Sequence, residues 1–447
     1  MHWLTQRFCG GILLTLLAGC ASYRPLPLDQ QLSQPKTLQA ALAQADAGAP
    51  IRSDKIDLQA PLSGTALAQI AVLLNPDLRA TRAKLGVANA QVFAAGLLPD
   101  PQLSLSADLP TTPGYYSAYS MGLQWSLASL FTRSANLAIA GAQARSVRYD
   151  VAWQEWLLAN QVRILARKLY FLQQQESIAA AATQVSLELY KKSSDNLRAG
   201  DTTLPNHALR QIAYVDSRDR ELALRRQVAK TRQELNAQLG LPPGFHLELA
   251  APRTLTKLPP VEELVHEALK HRLDLAALRA GYDAQEAQVR RAILGQYPGF
   301  SIGVSHAADT SNIHTWGPSI TFDLPLWNRN RAAIRQSEAT RAELHAAYSA
   351  RLFQTRAEIA SLVQDLQRLH PEIALLRTQL PGLAQAEKVL RQAVAEHNAT
   401  LVEYESVRSQ LLDKKLQLLT LEGTAAEDQA ALELAVGIPW ERWRKNP

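Results

Sequence analysis

A single constant offset of 197 residues maps the first half of this 447-residue chain onto the second. Asp77-Leu78 falls on Asp274-Leu275, Gln91-Val92 on Gln288-Val289, Pro101 on Pro298 and Ser104 on Ser301. Further along, Leu127 falls on Leu324, Thr203-Leu204 on Thr400-Leu401, and "LGLP" (239–242) on "VGIP" (436–439). One offset held over so long a span marks a duplicated domain, and two long copies exclude a solenoid of short repeats. Whatever the first copy folds into, the second must match.

Both copies read in the same order. A leading helix (about 62–97, then 260–295) runs into two strands (about 101–110 and 117–128, then 299–306 and 315–325). A long helix follows (about 129–199, then 328–396), and a shorter one closes the unit (about 203–239, then 400–436). Gly200 in "RAGDTT" and His397-Asn398 in "EHNATL" mark the turns between the last two helices. The chain thus divides into residues 1–19, a lead-in at 20–60, repeats at 61–242 and 258–439 joined by a linker at 243–257, and a tail at 440–447. A hydrophobic share of 47% argues against disorder, and the dominance of Ala, Leu, Gln, Arg and Glu suits long helices. At about 1.5 Å per residue, a helix of some 70 residues reaches roughly 100 Å, the length of a structure that bridges a distance.

The leading helices carry Ala80, Ala83, Val87, Ala90 and Ala94, matched by Ala277, Ala280, Ala284 and Ala287. Small residues at heptad spacing allow close helix–helix approach, in a coiled coil or in ordinary bundle packing alike. Pro371 and Pro381 interrupt the second long helix and are expected to kink or unwind it.

The strands share one design. Leu103, Leu105, Ala107 and Leu109 alternate with Gln102, Ser104, Ser106 and Asp108, and Met121, Leu123, Trp125 and Leu127 with Ser120, Gly122, Gln124 and Ser126. Phe300, Ile302 and Val304, then Trp316, Ile320, Phe322 and Leu324, repeat the pattern. About ten residues of apolar-out, polar-in alternation is what a transmembrane β-strand requires. On that reading Leu103, Leu105, Leu123, Trp125, Ile302, Val304, Ile320, Phe322 and Leu324 face lipid. A sheet covering a soluble core would show the same period. Tyr115, Tyr116, Tyr119, Trp316 and Trp327 lie near strand ends, where interfacial aromatics belong. Lipid tolerates no open sheet edge, and the smallest barrels have about eight strands, so a usable pore implies at least three chains.

The first twenty residues, "MHWLTQRFCGGILLTLLAGC", read as a targeting segment: a positive Arg7, then an apolar stretch too short to span a bilayer. Leu17-Ala18-Gly19-Cys20 looks like a lipobox, with Cys20 as the lipidated residue, and Ala21-Ser22 after it resembles outer-membrane sorting. Removing residues 1–19 takes away only Arg7, so the net charge falls from +6 to +5. Basic residues are interleaved with acidic ones along the helices, which with export excludes nucleic acid as a partner. Cys9 leaves with the signal, so Cys20 is the only mature cysteine and no intrachain disulfide forms.

Together these residues resemble the TolC-type outer membrane efflux protein family over essentially the whole mature chain. The resemblance implies a mainly α protein with a membrane β-barrel portion: a homotrimer with a twelve-stranded barrel in outer membrane lipid, continued by a long α-helical barrel. It implies a passive exit duct, energised by an inner-membrane transporter through a periplasmic adaptor protein. "GLLPDPQLSL" (96–105) and "LPLWNRNRAAI" (324–334) are similar to the heavy-metal cation efflux branch, whereas "SLASLFTRSAN" (126–136) lacks the Pro-Leu pair of its counterpart. Drug efflux and type I secretion are the alternative duties of such a duct.

The resemblance also assigns the helix tips. Gly200, Asp201, Thr202, Thr203 and Leu204, with His397, Asn398, Thr400 and Leu401, would contact the adaptor; His397 departs from the family by replacing a Gly. Glu403, with Glu405 beside it, matches the family's acidic periplasmic gate, and Arg408, one turn on, is the expected partner. Three-fold symmetry would make rings of carboxylates that attract cations.

No nucleophile elbow, phosphate loop, dinucleotide fingerprint or zinc-protease motif is present, so no catalytic residue, cofactor or metal ligand is assigned. Among the mature histidines only His266 and His271 lie close in sequence, and Met121 is the sole mature methionine. The rival class is a periplasmic coiled-coil scaffold lipoprotein without a pore.

Overall fold

The computed structural model describes residues 23–28, 37–45, 57, 60–253 and 258–443. Residues 23–28 belong to a separate unit and have no regular secondary structure. Cys20, the residue expected to carry lipid, lies outside the described residues. The rest forms one unit of ten helices and four strands among the described residues. In chain order these are α1 (Leu38–Ala45), α2 (Gly64–Leu74), α3 (Pro76–Gly96), β1 (Gln102–Asp108), β2 (Ala118–Ser126), α4 (Ala128–Ala199) and α5 (Leu204–Leu239). The second half continues with α6 (Val261–His271), α7 (Leu273–Leu294), β3 (Gly299–Ala308), β4 (His314–Asp323), α8 (Arg331–Ala395), α9 (Leu401–Val436) and the short α10 (Trp440–Trp443).

The expected order of lead, hairpin, long helix and shorter helix is present twice, with one correction. Each leading helix is two helices, broken at Asn75 and at the equivalent Arg272. Pro76 explains the first break, because a residue before proline is pushed out of the α region, and Asn75 indeed has ψ 122°. Its side chain accepts from Leu78 N at 2.9 Å, capping α3. The second break has no proline. Arg272 takes nearly the same conformation, ψ 117°, and its guanidinium bonds Asp274 through Nε and Nη2 at 3.0 and 2.8 Å.

The 65 residues of α8 stay helical through Pro371 and Pro381, so neither proline unwinds the helix. Each proline removes one helical hydrogen bond at a penalty of about 3 kcal/mol, and both rings sit on the exposed side. The flanking turns and the packing on α9 hold the helix together.

Two cores form at equivalent positions. Leu67, Ala71, Val162, Ala166, Leu169, Leu235, Leu239 and Leu241 build the first. Adding 197 to each gives Leu264, Ala268, Ile359, Val363, Leu366, Leu432, Val436 and Ile438, all in the second. The duplication therefore extends from sequence to packing. The two halves join through α4, which packs on both α7 and α9, and through the pairing of β2 with β3. At about 1.5 Å per residue, the 72-residue α4 is roughly 108 Å long.

Candidate channel surfaces: the sheet and the helix tips

The four strands form one antiparallel sheet in the order β1-β2-β3-β4, with β1 and β4 at its edges. The register sorts side chains by face. Leu103 lies opposite Leu123, which lies opposite Val304; Trp125 lies opposite Ile302, which lies opposite Ile320. Phe300 pairs with Phe322. Eight of the nine residues expected to face lipid are exposed, from Leu105 at 71% to Ile302 at 41%. Trp125 is half-buried, its Nε1 donating to Pro99 O at 2.8 Å. The other face carries Ser104, Gly122 and Ser305 in one row, and Ser106 opposite Ser120 with their hydroxyls 2.8 Å apart. One face is thus bare and largely apolar, the other polar, with Ser, Gln and Asp. No helix among the described residues is long and apolar enough to cross a membrane.

The helix tips at the opposite end of the long helices share one backbone design. Gly200 ends α4 at φ 83°, with its N–H donating to Leu197 O at 3.2 Å and Asp201 N to Asn196 O at 2.8 Å. His397, 197 residues on, stands at φ 63°, its N–H donating to Val394 O at 3.2 Å and Asn398 N to Ala393 O at 2.7 Å. Histidine thus occupies a left-handed position natural to glycine. Thr203 and Thr400 begin the next helices, and only Thr400 forms a capping box. The Thr400 Oγ1 accepts from Glu403 N at 3.2 Å, and the Glu403 carboxylate accepts from Thr400 N at 2.9 Å and from its hydroxyl at 2.7 Å. These bonds hold the exposed Glu403 carboxyl below its usual range. Asp201 and Leu204 are exposed, and Thr202 is half-buried.

Glu405 is paired elsewhere than with Arg408. It forms an ion pair with Arg210 of α5, both side chains largely buried. Arg408 instead donates to Ala182 O of α4 at 3.3 Å. These groups line a cleft of about 530 Å³ between α4, α5 and α9, with Asp216, Arg220 and Lys415 on its walls. Arg210 was not singled out by sequence, because it lies on the other half of the duplication from Glu405 and only packing brings them together. Beside the cleft, Tyr190 stacks between His207 at 5.3 Å and Tyr214 at 5.8 Å. The equivalent of His207 is Tyr404, whose hydroxyl is pushed up in pKa by burial first and by Glu387 second.

The geometry can be set beside known proteins. Residues 264–438 match the family model described as outer membrane efflux protein. None of the curated proteins matches the chain at a significant level. Among solved structures, the outer membrane protein VceC from Vibrio cholerae is similar with a TM-score of 0.69 and 19% identity, over 84% of this chain and 96% of that one. CusC, whose structures concern folding and transmembrane channel formation, is similar with a TM-score of 0.70 and 16% identity, over 92% and 100%. The open state of the MtrE outer membrane channel from Neisseria gonorrhoeae gives 0.66 and 17%, over 92% and 98%. The matched family and the channels of this fold are transport proteins and not enzymes. Over residues 264–438 the chain matches the outer membrane efflux protein family, and over most of its length it has the fold of solved outer membrane channels.

Proposed function

We propose that three copies of this chain form the outer membrane exit duct of an efflux system, anchored by lipid on Cys20. The observation that carries this is the pair of unsatisfied sheet edges, β1 and β4, flanking an exposed, largely apolar face. Lipid requires those edges to be paired, and pairing the β1 of one copy with the β4 of the next closes a barrel of twelve strands. The polar face then lines a water-filled lumen. The tips carrying Gly200–Leu204 and His397–Leu401 reach towards a periplasmic adaptor, which joins the duct to an inner-membrane transporter. The wording "LPLWNRN" (324–330) supports metal cations as the solute.

The test is a Cys20→Ala variant of the full chain. It should still need detergent and migrate as a trimer; a water-soluble monomer would sink the duct and favour the scaffold. For the solute, deleting the gene should sensitise cells to metal salts, and sensitivity to drugs alone would overturn the metal assignment.

The gate in this reading is Glu403, Glu405 and Arg408 with Arg210 added, since the Arg210–Glu405 pair ties α5 to α9 beside the tips. Glu405→Gln should raise the conductance of trimers in planar bilayers and weaken their cation preference. Unchanged conductance would remove Glu405 from the gate.

A further inference from the structure

At the sheet end remote from the helices, three potential metal donors from three strands converge. Tyr119 lies near the start of β2, His306 on β3 and His314 at the start of β4. The register puts Met121 opposite His306, His306 opposite Trp316, and Ala308 opposite both Tyr119 and His314. All three side chains therefore emerge on the same face, in neighbouring cells of the sheet. The Tyr119 hydroxyl is 3.4 Å from His306 Nε2 and 3.3 Å from His314 Nδ1. The two imidazoles lie nearly parallel, 13° apart with centroids at 5.8 Å.

We propose that Tyr119, His306 and His314 bind one divalent transition-metal ion of the copper, zinc or nickel class. Three features of the geometry support this. First, His306 Nδ1 lies 3.0 Å from Thr315 O, a carbonyl that can only accept. The N–H is therefore on Nδ1 and the lone pair of Nε2 faces Tyr119. Metal-binding histidines commonly have their second nitrogen fixed in this way by a backbone carbonyl. Second, a tetrahedron with metal–ligand bonds of about 2.0–2.1 Å has edges of about 3.3–3.4 Å. Both Oη–N separations have that length, so the phenol oxygen stands at a ligand-edge distance from each imidazole nitrogen. Third, Trp316 stacks on the His306 ring at 4.5 Å, holding its orientation before any ion arrives. Tyr119 and His314 are exposed on the face that carries Leu123 and Val304, at the hairpin end of the sheet, so the fourth position opens at the membrane boundary and not into the lumen.

Imidazole nitrogens suit zinc, copper and nickel, and a phenolate completes the set by releasing one proton to solvent. Among the described residues no group of three His, Cys, Asp or Glu could hold a metal, so the site depends on the phenol. The ion is a fixed occupant that staples β2, β3 and β4, independent of whatever the duct exports. The sequence hid this pair because the two histidines are eight residues apart across a hairpin turn.

The full-length protein in detergent, freed of metal with a chelator, should bind one Cu²⁺ or Zn²⁺ per chain in calorimetric titration. With Cu²⁺ it should show a phenolate-to-copper charge-transfer band that Tyr119→Phe abolishes. His306→Ala and His314→Ala should each weaken binding by about 100-fold or more. His266→Ala with His271→Ala should leave binding unchanged. Tyr119→Phe preserves the ring packing, so it decides the matter even where a histidine variant fails to assemble. Binding without the band, binding that survives loss of both histidines, or no stoichiometric binding at all overturns the proposal.

Discussion

The leading helices α3 and α7 carry the same stripe of small residues at equivalent positions, yet one stripe is covered and the other bare. Ala277, Ala280, Ala284 and Ala287 of α7 are buried, and α7 packs on α4 with Ser146 Oγ donating to Ala277 O at 2.9 Å. Ala80, Ala83, Val87, Ala90 and Ala94 of α3 are exposed. The strands show the same division: β2 and β3 pair across the repeats, whereas β1 and β4 each leave their outer edge unpaired. Duplication has thus given the chain one complete joint inside and the two halves of another joint at its flanks. In the trimer proposed above, repeating the inner joint head to tail would set α3 on the α8 of the next copy and cover both bare surfaces at once.

The breaks in the leading helices are a second place where equivalent positions meet different chemistry. Asn75 Nδ2 donates to Gln238 O at 2.9 Å, and Arg272 Nη1 donates to Ala435 O, the equivalent carbonyl, at 2.9 Å. The same tie is made by a neutral amide in one half and by a guanidinium only 1% exposed in the other. Arg272 also lies over the Trp153 ring at 5.0 Å and pairs with Asp274 and Glu358. Burial raises the pKa of the Asp274 carboxyl, but hydrogen bonds and charge from Arg272 and then Arg351 outweigh it and hold the group low. Removing one partner of a buried pair costs about 3–5 kcal/mol because the other is left uncompensated. Arg272→Ala should therefore destabilise by that amount, against about 1–2 kcal/mol for Asn75→Ala. Thermal unfolding of the two variants in detergent measures the difference. Equal losses would mean that the charge network adds nothing to the shared tie.

A substitution on the stripes separates the inner joint from the outer one. Ala280→Trp forces a large ring into a packed interface and should destabilise the chain by about 1–3 kcal/mol. Ala83→Trp meets open space in the single chain, so it should leave the chain folded but dissociate the trimer. Unfolding curves and chemical cross-linking of both variants distinguish these outcomes. A trimer that tolerates Ala83→Trp would sink the ring built on α3.

The architecture was legible because duplication is a property of sequence. The offset locates both halves, the alternation locates the strands, and even the core pairs, such as Leu235 with Leu432, follow from it. Less legible were features fixed by packing between distant segments. The break at Arg272 has no local breaker and rests on bonds to Asp274 and Ala435, the latter 163 residues away. Arg210 as the partner of Glu405, and the meeting of His306 with His314 and Tyr119, depend on interhelix contacts and strand register. Periodicity gives the face a residue occupies, but not which residue lies opposite.

The smallest expected effects are at the tips, where the halves differ by single side chains. His397 holds a left-handed conformation that costs a non-glycine residue about 1–2 kcal/mol, so His397→Gly should stabilise the second tip by about 1 kcal/mol. Part of that strain is offset next door by the capping box, which the first tip lacks because Asn206 stands where Glu403 does. Thr400→Ala should accordingly cost about 1 kcal/mol, while Thr203→Ala, with no side-chain cap bond to lose, should change little. The box should also respond to acid. Glu403 has a depressed carboxyl pKa in the folded chain, so its support is complete above the unfolded value of about 4.3 and is lost as pH falls through the lower folded value. Amide exchange at residues 400–405 should therefore accelerate as pH falls below about 4 relative to residues 203–208, after correction for intrinsic rates. Equal protection of the two tips across that range would show that the capping box, and with it the chemical difference between the tips, has no bearing on their order.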